Sequence, residues 1–306
     1  MGSRAFFECF ILFGFFMTIG ELLRVGEQGI AHRSAARLEA EVLLAWILDI
    51  SKEQLFCSYE QGLTEDTVLK FQEYVSDLAD GRPLAYIIGE REFYGLPFYV
   101  DERVLIPRPE TEWLVEKAIG LAGEREKNRT DFSIVDVGTG SGAIGLSIAH
   151  TLPEASVILV DISSEALEVA KKNCERLGLA SRVDIFESDL LGTVLDRSFD
   201  IVVANLPYIG QEKNRFIAAD VEKYEPHVAL FGGHDGLQLY TKLFQQIGEM
   251  KVAPKYLLGE FGFAQSAALQ ELLDTFFVQK GGTARIFQDL AGIDRYFIVS
   301  LEGLPL

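Results

Sequence analysis

Ser133-Ile134-Val135-Asp136-Val137-Gly138-Thr139-Gly140-Ser141-Gly142 is the stretch that decides the fold. Ser133 to Val137 is short, mostly apolar and β-branched, the pattern of a buried strand. Glycines then stand at every second position, so the backbone can turn tightly and approach a ligand closely. Gly142 to His150 continues as a helix. The same strand–helix alternation runs on through strand Ser156 to Val160, helix Ser164 to Leu177 and strands Val183 to Phe186 and Asp200 to Ala204. A helix around Gly236 to Met250, strand Tyr256 to Glu260 and a helix from Ala264 to about Phe277 follow. Repeated units of this kind imply a parallel sheet with helices on both faces. Ala284 to Gln288 and Arg295 to Ser300 are separated only by Asp289 to Asp294, which predicts an antiparallel hairpin at the sheet edge. The expected fold class is α/β, Rossmann-like, with a mostly parallel sheet and an antiparallel C-terminal hairpin.

Ligands of open parallel sheets bind at the carboxyl ends of the strands. Asp161 ends the second strand, where a carboxylate can accept hydrogen bonds from two ribose hydroxyls. Asp189 lies just past the third strand, where an adenine would sit. Two cofactors suit this arrangement. Gly140-Ser141-Gly142-Ala143-Ile144-Gly145 satisfies the dinucleotide fingerprint, with Asp161 at about the expected distance, so a nicotinamide-dependent oxidoreductase is one reading. S-adenosylmethionine is the other. Asp136 favours it, because a carboxylate can bond a cationic amino-acid group and is unhelpful beside a pyrophosphate. The terminal antiparallel hairpin favours it too.

The strand Asp200 to Ala204 ends in Asn205-Leu206-Pro207-Tyr208. An amide side chain, a rigid turn and an aromatic ring suit a planar hydrogen-bonding group such as an amide or a nucleobase amine. The nitrogen of such a group is a weak nucleophile because its lone pair is delocalised. Asn205 Oδ1 and the Leu206 carbonyl are expected to accept its N–H hydrogens, and Tyr208 to offer a ring face. Methyl transfer from a sulfonium is an in-line displacement that positioning can largely catalyse.

The chain has 306 residues, enough for one large domain and a smaller one. Its net charge is −18, from 46 acidic and 28 basic residues, which argues against a broad nucleic-acid surface. Cys9, Cys57 and Cys174 are unpatterned, so they are expected to be reduced, buried thiols of a cytoplasmic protein. The four histidines make no metal-binding pattern, and no metal is expected.

Phe6 to Phe16 is a run of mostly apolar residues too short to span a bilayer, and no membrane association is expected. Met17 is expected to be the biological start, with residues 1–16 a non-native or misassigned extension. Residues 18 to about 90 read as helical. Leu38, Val42, Ala45 and Trp46 are predicted to share one face of a first helix, and Val68, Phe71, Val75 and Leu78 one face of another. Glu92 to Val100 reads as a short hairpin, and Pro107 and Pro109 hold an extended segment ahead of a helix with an acidic start.

Several motifs carry a resemblance to a known family. They are Arg82 to Gly89, Phe93 to Leu96, Leu105 to Glu112, Asp136 to Gly145, Asp161 to Ser163 and Asn205 to Tyr208. Tyr224-Glu225-Pro226, Gly232 to Leu237 and Asp289 to Arg295 complete the set. From about Met17 to the C-terminus the chain resembles the release factor glutamine methyltransferase family, which modifies the glutamine of the Gly-Gly-Gln motif in peptide chain release factors. The resemblance implies a helical substrate-docking domain over residues 17–90, a hairpin and linker over 91–112, and a seven-stranded class I methyltransferase domain over 113–306. It implies S-adenosylmethionine, with S-adenosylhomocysteine as product, held by Asp136, Gly138, Thr139, Gly140, Ser141, Gly142, Asp161, Ile162, Asp189, Leu190 and Asn205. It implies the acceptor glutamine at Asn205, Leu206, Pro207 and Tyr208, with Arg108, Glu110 and Thr111 helping to close the site. Release factors 1 and 2 are the implied partners, without direct nucleic-acid binding.

One departure from the family stands out. The usual tetrad is Asn-Pro-Pro-Tyr, and Leu206 replaces its first proline. Leucine keeps the backbone carbonyl and loses rigidity, about 0.5–1 kcal/mol of unfolded-state entropy. Asn-Leu-Pro-Tyr is also the form carried by ribosomal RNA adenine dimethyltransferases, the alternative within the same reaction class. The negative charge, the N-terminal helices and the Asp-Leu-Ala-Gly hairpin weigh against an RNA substrate.

Overall fold

The computed structural model describes residues 17–124, 132–210 and 219–302. The expectations for residues 1–16, and for Cys9, lie outside the described residues. The chain divides after Gly89 into two compact units.

The first unit holds α1 (Ile19–Gly29), α2 (Ala36–Leu48), α3 (Lys52–Cys57), α4 (Glu65–Ala79) and α5 (Leu84–Ile88). Thr18 starts α1 with a capping box: its hydroxyl accepts from Glu21 N while the Glu21 carboxylate accepts from Thr18 N. Ile19, Leu22 and Leu23 of α1 meet Leu43 and Leu44 of α2 and Phe71, Val75 and Leu78 of α4 in one core. Gly26 is required there, since a Cβ would lie 2.5 Å from the Phe71 ring.

The predicted face of α4 is the buried one, whereas that of α2 is buried only at Ala45. Leu38 is 51% exposed, and Trp46 is also at the surface, edge-on to Tyr74 with Lys70 over its ring. The apolar residues that pack are Ala40, Leu43, Leu44 and Ala45. Apolar residues occupy most of the circumference of α2, so two stripes satisfy helical spacing and only packing chooses between them. The exposure of Cys57 also corrects the expectation of a buried thiol, because the six-residue α3 leaves its last residue in solvent; Cys174 is buried as expected.

The second unit opens with the hairpin β1 (Glu90–Phe93) and β2 (Leu96–Tyr99). Its two-residue turn places both Tyr94 and Gly95 at positive φ, the geometry that matches strand twist. Then come α6 (Glu112–Glu124), β3 (Ser133–Val137), α7 (Ala143–Thr151), β4 (Ser156–Asp161) and α8 (Ser164–Arg176). They are followed by β5 (Val183–Glu187), β6 (Ile201–Ala204), α9 (Ala219–Tyr224), α10 (His227–Leu230) and α11 (Gln238–Glu249). β7 (Tyr256–Glu260), α12 (Ser266–Phe276), β8 (Thr283–Gln288) and β9 (Asp294–Ser300) complete the unit.

The seven strands lie in the order β5-β4-β3-β6-β7-β9-β8. β3 to β7 are parallel, and β9 inserts antiparallel between β7 and β8. Strand residues alternate between two cores. Ile134, Leu159, Val203 and Leu258 pack with α6, α7 and α8, while Val135, Val160, Val202 and Leu257 pack with α11 and α12. The hairpin β1–β2 is tied to this body by Asn173 of α8. Its Oδ1 accepts from Tyr99 N at 2.7 Å, and its Nδ2 donates to Tyr99 O and Ser141 O, both at 2.9 Å.

Gly259 in β7 faces the rings of the second core. A Cβ there would lie 2.4 Å from Phe297 Cε1 and 2.9 Å from Tyr240 Oη. Gly259→Ala is therefore expected to lower the thermal midpoint, at a cost of about 1–3 kcal/mol from overpacking. Differential scanning calorimetry checks this, and an unchanged midpoint would mean that Phe297 moves aside freely.

Candidate active site

β3 pairs with β4 on one side and β6 on the other, so the loops leaving β3 and β6 diverge around a crevice. The glycine loop is pinned at its start, where Gly138 N and Thr139 N both donate to Val160 O. Gly138 has φ +71° and no room for a side chain, because Leu206 Cδ2 lies 2.9 Å from where its Cβ would be. The two loops are thus in van der Waals contact. Leu206 is 2% exposed and belongs to the core, so the residue that departs from the family pattern is a packed apolar side chain.

A cavity of about 270 Å³ opens at this point. Gly138, Thr139, Gly140, Ser141, Asp161, Ile162, Asp189 and Leu190 line it, as do Arg108, Asn205, Leu206 and Pro207. Val228, Ala229 and Phe231 add an apolar side that the sequence reading did not single out. Four expected site residues are not on this wall: Asp136, Gly142, Glu110 and Tyr208. Glu110 is exposed, and its carbonyl accepts from Tyr296 Oη. Gly142 starts α7 in the left-handed region.

Asp136 is fully buried behind the loop. Its Oδ2 accepts from Thr139 Oγ1 at 2.6 Å and Gly145 N at 2.9 Å, while Oδ1 has no partner among the described residues. The carboxylate therefore braces the loop. Burial pushes its pKa up to about 6. Asp161 faces the cavity and holds the loop from the other side, accepting from Gly140 N at 2.8 Å and Ser163 N at 2.9 Å. Burial raises its pKa as well.

At the end of β6 the Asn205 amide is held from behind. Nδ2 donates to Thr111 Oγ1 at 3.1 Å and to Glu260 Oε2 at 3.3 Å. Thr111 Oγ1 donates to the same Oε2 at 2.7 Å, and Tyr208 Oη donates to Oε1 at 3.2 Å. Burial raises the titration of both Glu260 and the Tyr208 phenol. Tyr208 thus stands behind the cavity. Its carbonyl accepts from Gln265 Nε2 and crowds Gly236, where a Cβ would lie 2.1 Å away. This close approach explains a glycine in the Gly232 to Leu237 stretch.

Arg108 reaches the cavity from a braced segment. Its Nη2 is 2.5 Å from Glu225 Oε1, and Glu225 Oε2 accepts from Ile106 N. Glu225 is buried and its pKa is raised by desolvation, with Arg108 opposing that rise.

Sequence reasoning missed Glu260 and the job of Glu225. A usable signal existed for Glu260: it ends a parallel strand as Asp161 and Asn205 nearly do, at the edge where ligands bind.

The cavity fits a nucleoside with an amino-acid tail. Ile162 is 57% exposed beside it, an apolar plate for a base. Asp161 offers a carboxylate for a diol, and a Cβ on Gly140 would meet nothing within 4 Å, leaving backbone open to approach.

Sheet order and site together define a class I S-adenosylmethionine-dependent methyltransferase. Residues 122–224 match the family model of the Methyltransferase small domain, and residues 21–89 that of the PrmC N-terminal domain. The catalytic domain of human METTL16, crystallised with an RNA hairpin, shares the fold with a TM-score of 0.53 at 17% identity, over 78% of this chain and 82% of that one. Release factor glutamine methyltransferases are similar along nearly the whole chain. The protein of Rhodopirellula baltica is 38% identical, covering 87% of this chain and 89% of its own length. That of Moorella thermoacetica is 38% identical over 92% and 96%, and that of Bacillus subtilis 36% over 91% and 96%. The chain belongs to the release factor glutamine methyltransferase family and is a protein-glutamine methyltransferase. No helix among the described residues is long and apolar enough to cross a membrane.

The buried Asp136 makes stability depend on pH. Its folded pKa of about 6 lies above the ordinary 3.8, so the folded state keeps a proton that the unfolded state releases. Stability is greatest below the unfolded value and falls as pH rises through about 6, by about 3 kcal/mol for a shift of this size. Asp136→Asn is expected to raise the melting temperature of the ligand-free protein more at pH 7.5 than at pH 4.5. An equal change at both values would mean that Asp136 does not titrate in this window.

Proposed function

We propose that this enzyme methylates the side-chain amide nitrogen of the glutamine in the Gly-Gly-Gln motif of release factors 1 and 2. The observation that carries the reading is the Asn205 amide, at the cavity wall, with its Nδ2 end taken by Thr111 and Glu260. Oδ1 is then the end offered to a ligand. An acceptor that meets a carbonyl-type oxygen must bring N–H hydrogens, as a primary carboxamide does. With Oδ1 on one hydrogen and the Leu206 carbonyl on the other, the amide plane is fixed and positive charge building on nitrogen is stabilised.

Gly138 to Ser141, Asp161, Ile162, Asp189 and Leu190 are the groups that would hold S-adenosylmethionine. When bound, it supplies a methyl group already activated by a sulfonium. The protein's task is therefore orientation and exclusion of water. Leu206, Val228, Ala229 and Phe231 supply apolar wall for the latter. The acceptor nitrogen can release its proton after the methyl arrives, so no strong base is needed. The helical unit that precedes Glu90 is proposed to hold the release factor, and the enzyme is proposed to act in the cytoplasm on protein without direct contact to nucleic acid. The net charge of −18 supports that choice of partner.

Purified protein, tritiated S-adenosylmethionine and either release factor or ribosomal RNA test the reading. Label should enter the release factor and be lost when the glutamine of its Gly-Gly-Gln motif is replaced. Label in RNA alone, or in neither, defeats it. Asn205→Ala is expected to lower turnover by about 100- to 1000-fold, the scale for losing one preorganised group at a developing charge. Calorimetry should show cofactor affinity reduced far less. Comparable loss of both would assign Asn205 to the cofactor.

A further inference from the structure

We infer that Glu260 is a positioning residue for methyl transfer: with Thr111 it locks the Asn205 amide in the one orientation that turns Oδ1 toward the acceptor. The inference rests on the proposed amide acceptor and adds what holds Asn205 in place.

Two linked constraints select that orientation. Glu260, as a carboxylate, has no hydrogen to give, so the Asn205 atom facing its Oε2 must be the NH₂ group. Thr111 has a single hydroxyl hydrogen, and Glu260 Oε2 takes it at 2.7 Å. Toward Asn205, Thr111 Oγ1 can then only accept, and again the NH₂ group must face it. An amide left to itself would present either end at similar cost, and half of its orientations would aim hydrogens at an acceptor that also brings hydrogens. Glu260 is itself fixed. It is 2% exposed, ends β7 beside β6, and takes a third hydrogen bond from Tyr208 Oη.

The charged and titratable groups that act on it come from several elements. Arg295 and Tyr296 come from β9, Glu110 from the turn before α6, Tyr208 from the loop after β6 and Tyr240 from α11. Arg295 favours the ionised form; burial and Glu110 oppose it and move the titration above the ordinary glutamate value. Protonation gives Glu260 a hydrogen of its own, so it no longer demands the NH₂ end of the amide and the lock loosens. Activity should then fall in acid with Glu260.

Thr111→Val, Glu260→Gln and the double variant test this. A glutamine can still accept through one oxygen, but it can also flip and let Thr111 and Asn205 turn with it, so Glu260→Gln weakens the lock without abolishing it, while Thr111→Val leaves the contact between Asn205 and Glu260. Turnover on release factor should fall about tenfold in each single variant and at least 100-fold in the double. Cofactor affinity and KM should stay within threefold, and the acid limb of the kcat profile should vanish in Glu260→Gln while persisting in Thr111→Val. Unchanged turnover in the double variant, or turnover and cofactor affinity falling together, would overturn the inference. A second readout needs no acceptor. In protein labelled with ¹⁵N-asparagine, the side-chain signal missing from Asn205→Ala should exchange its hydrogens slowly in the wild type and at least tenfold faster in the double variant. Equal exchange would overturn the inference even if the acceptor assignment failed, and a wild type that labels no release factor would count against the proposed function alone.

Discussion

The pairing of β3 with β4 on one flank and β6 on the other is the constraint on which the site depends. The strand order reverses at β3, so the connections leaving β3 and β6 go to opposite faces of the sheet and the glycine loop and the Asn205 loop part there. That leaves a crevice between two rigid strand ends. Gly138 lets the loops close to contact, with Leu206 filling the space a side chain would need. Behind the crevice sit two buried carboxylates with related tasks. Asp136 braces the glycine loop, and Glu260 holds the NH₂ end of the Asn205 amide. Both carry a desolvation cost, and donors from neighbouring elements offset part of it.

Most of the second unit was legible from the chain. Strands and helices separated cleanly because buried parallel strands are short, apolar runs, and of the covering helices α8 and α11 are amphipathic while α7 is buried from Ala143 to Ala149. The glycines were legible as a tight strand-to-helix turn, and Gly138, Gly140 and Gly142 do take positive φ. What was not legible depends on distant pairing. Glu225 and Arg108 are far apart in the chain and meet only in the folded protein. Glu260 reads as an ordinary strand end until Thr111 and Asn205 are seen around it. Asp136 was assigned to the ligand from its place before the glycines, whereas its hydrogen bonds run back into the loop. The buried face of α2 was misread because a helix apolar on most sides leaves the choice to its neighbours.

Leu206 shows how a local departure can be absorbed. Its side chain is part of the core and touches the glycine loop, so packing supplies a restraint that a proline ring would otherwise give. Rigidity moves from covalent geometry to van der Waals contact. The backbone carbonyl is kept in either case, and Leu206 adds a backbone N–H, directed at Tyr240, that a proline would lack.

Asn173 carries a consequence of another kind. One side chain both accepts from and donates to Tyr99, and also donates to Ser141 in the glycine loop. Neither aspartate nor leucine has that combination of polarities. The outer hairpin and the ligand loop are therefore one cooperative unit in local opening. The Tyr99 amide cannot meet solvent without releasing the partner that steadies Ser141, so breathing of a surface hairpin is felt directly at the wall of the cavity.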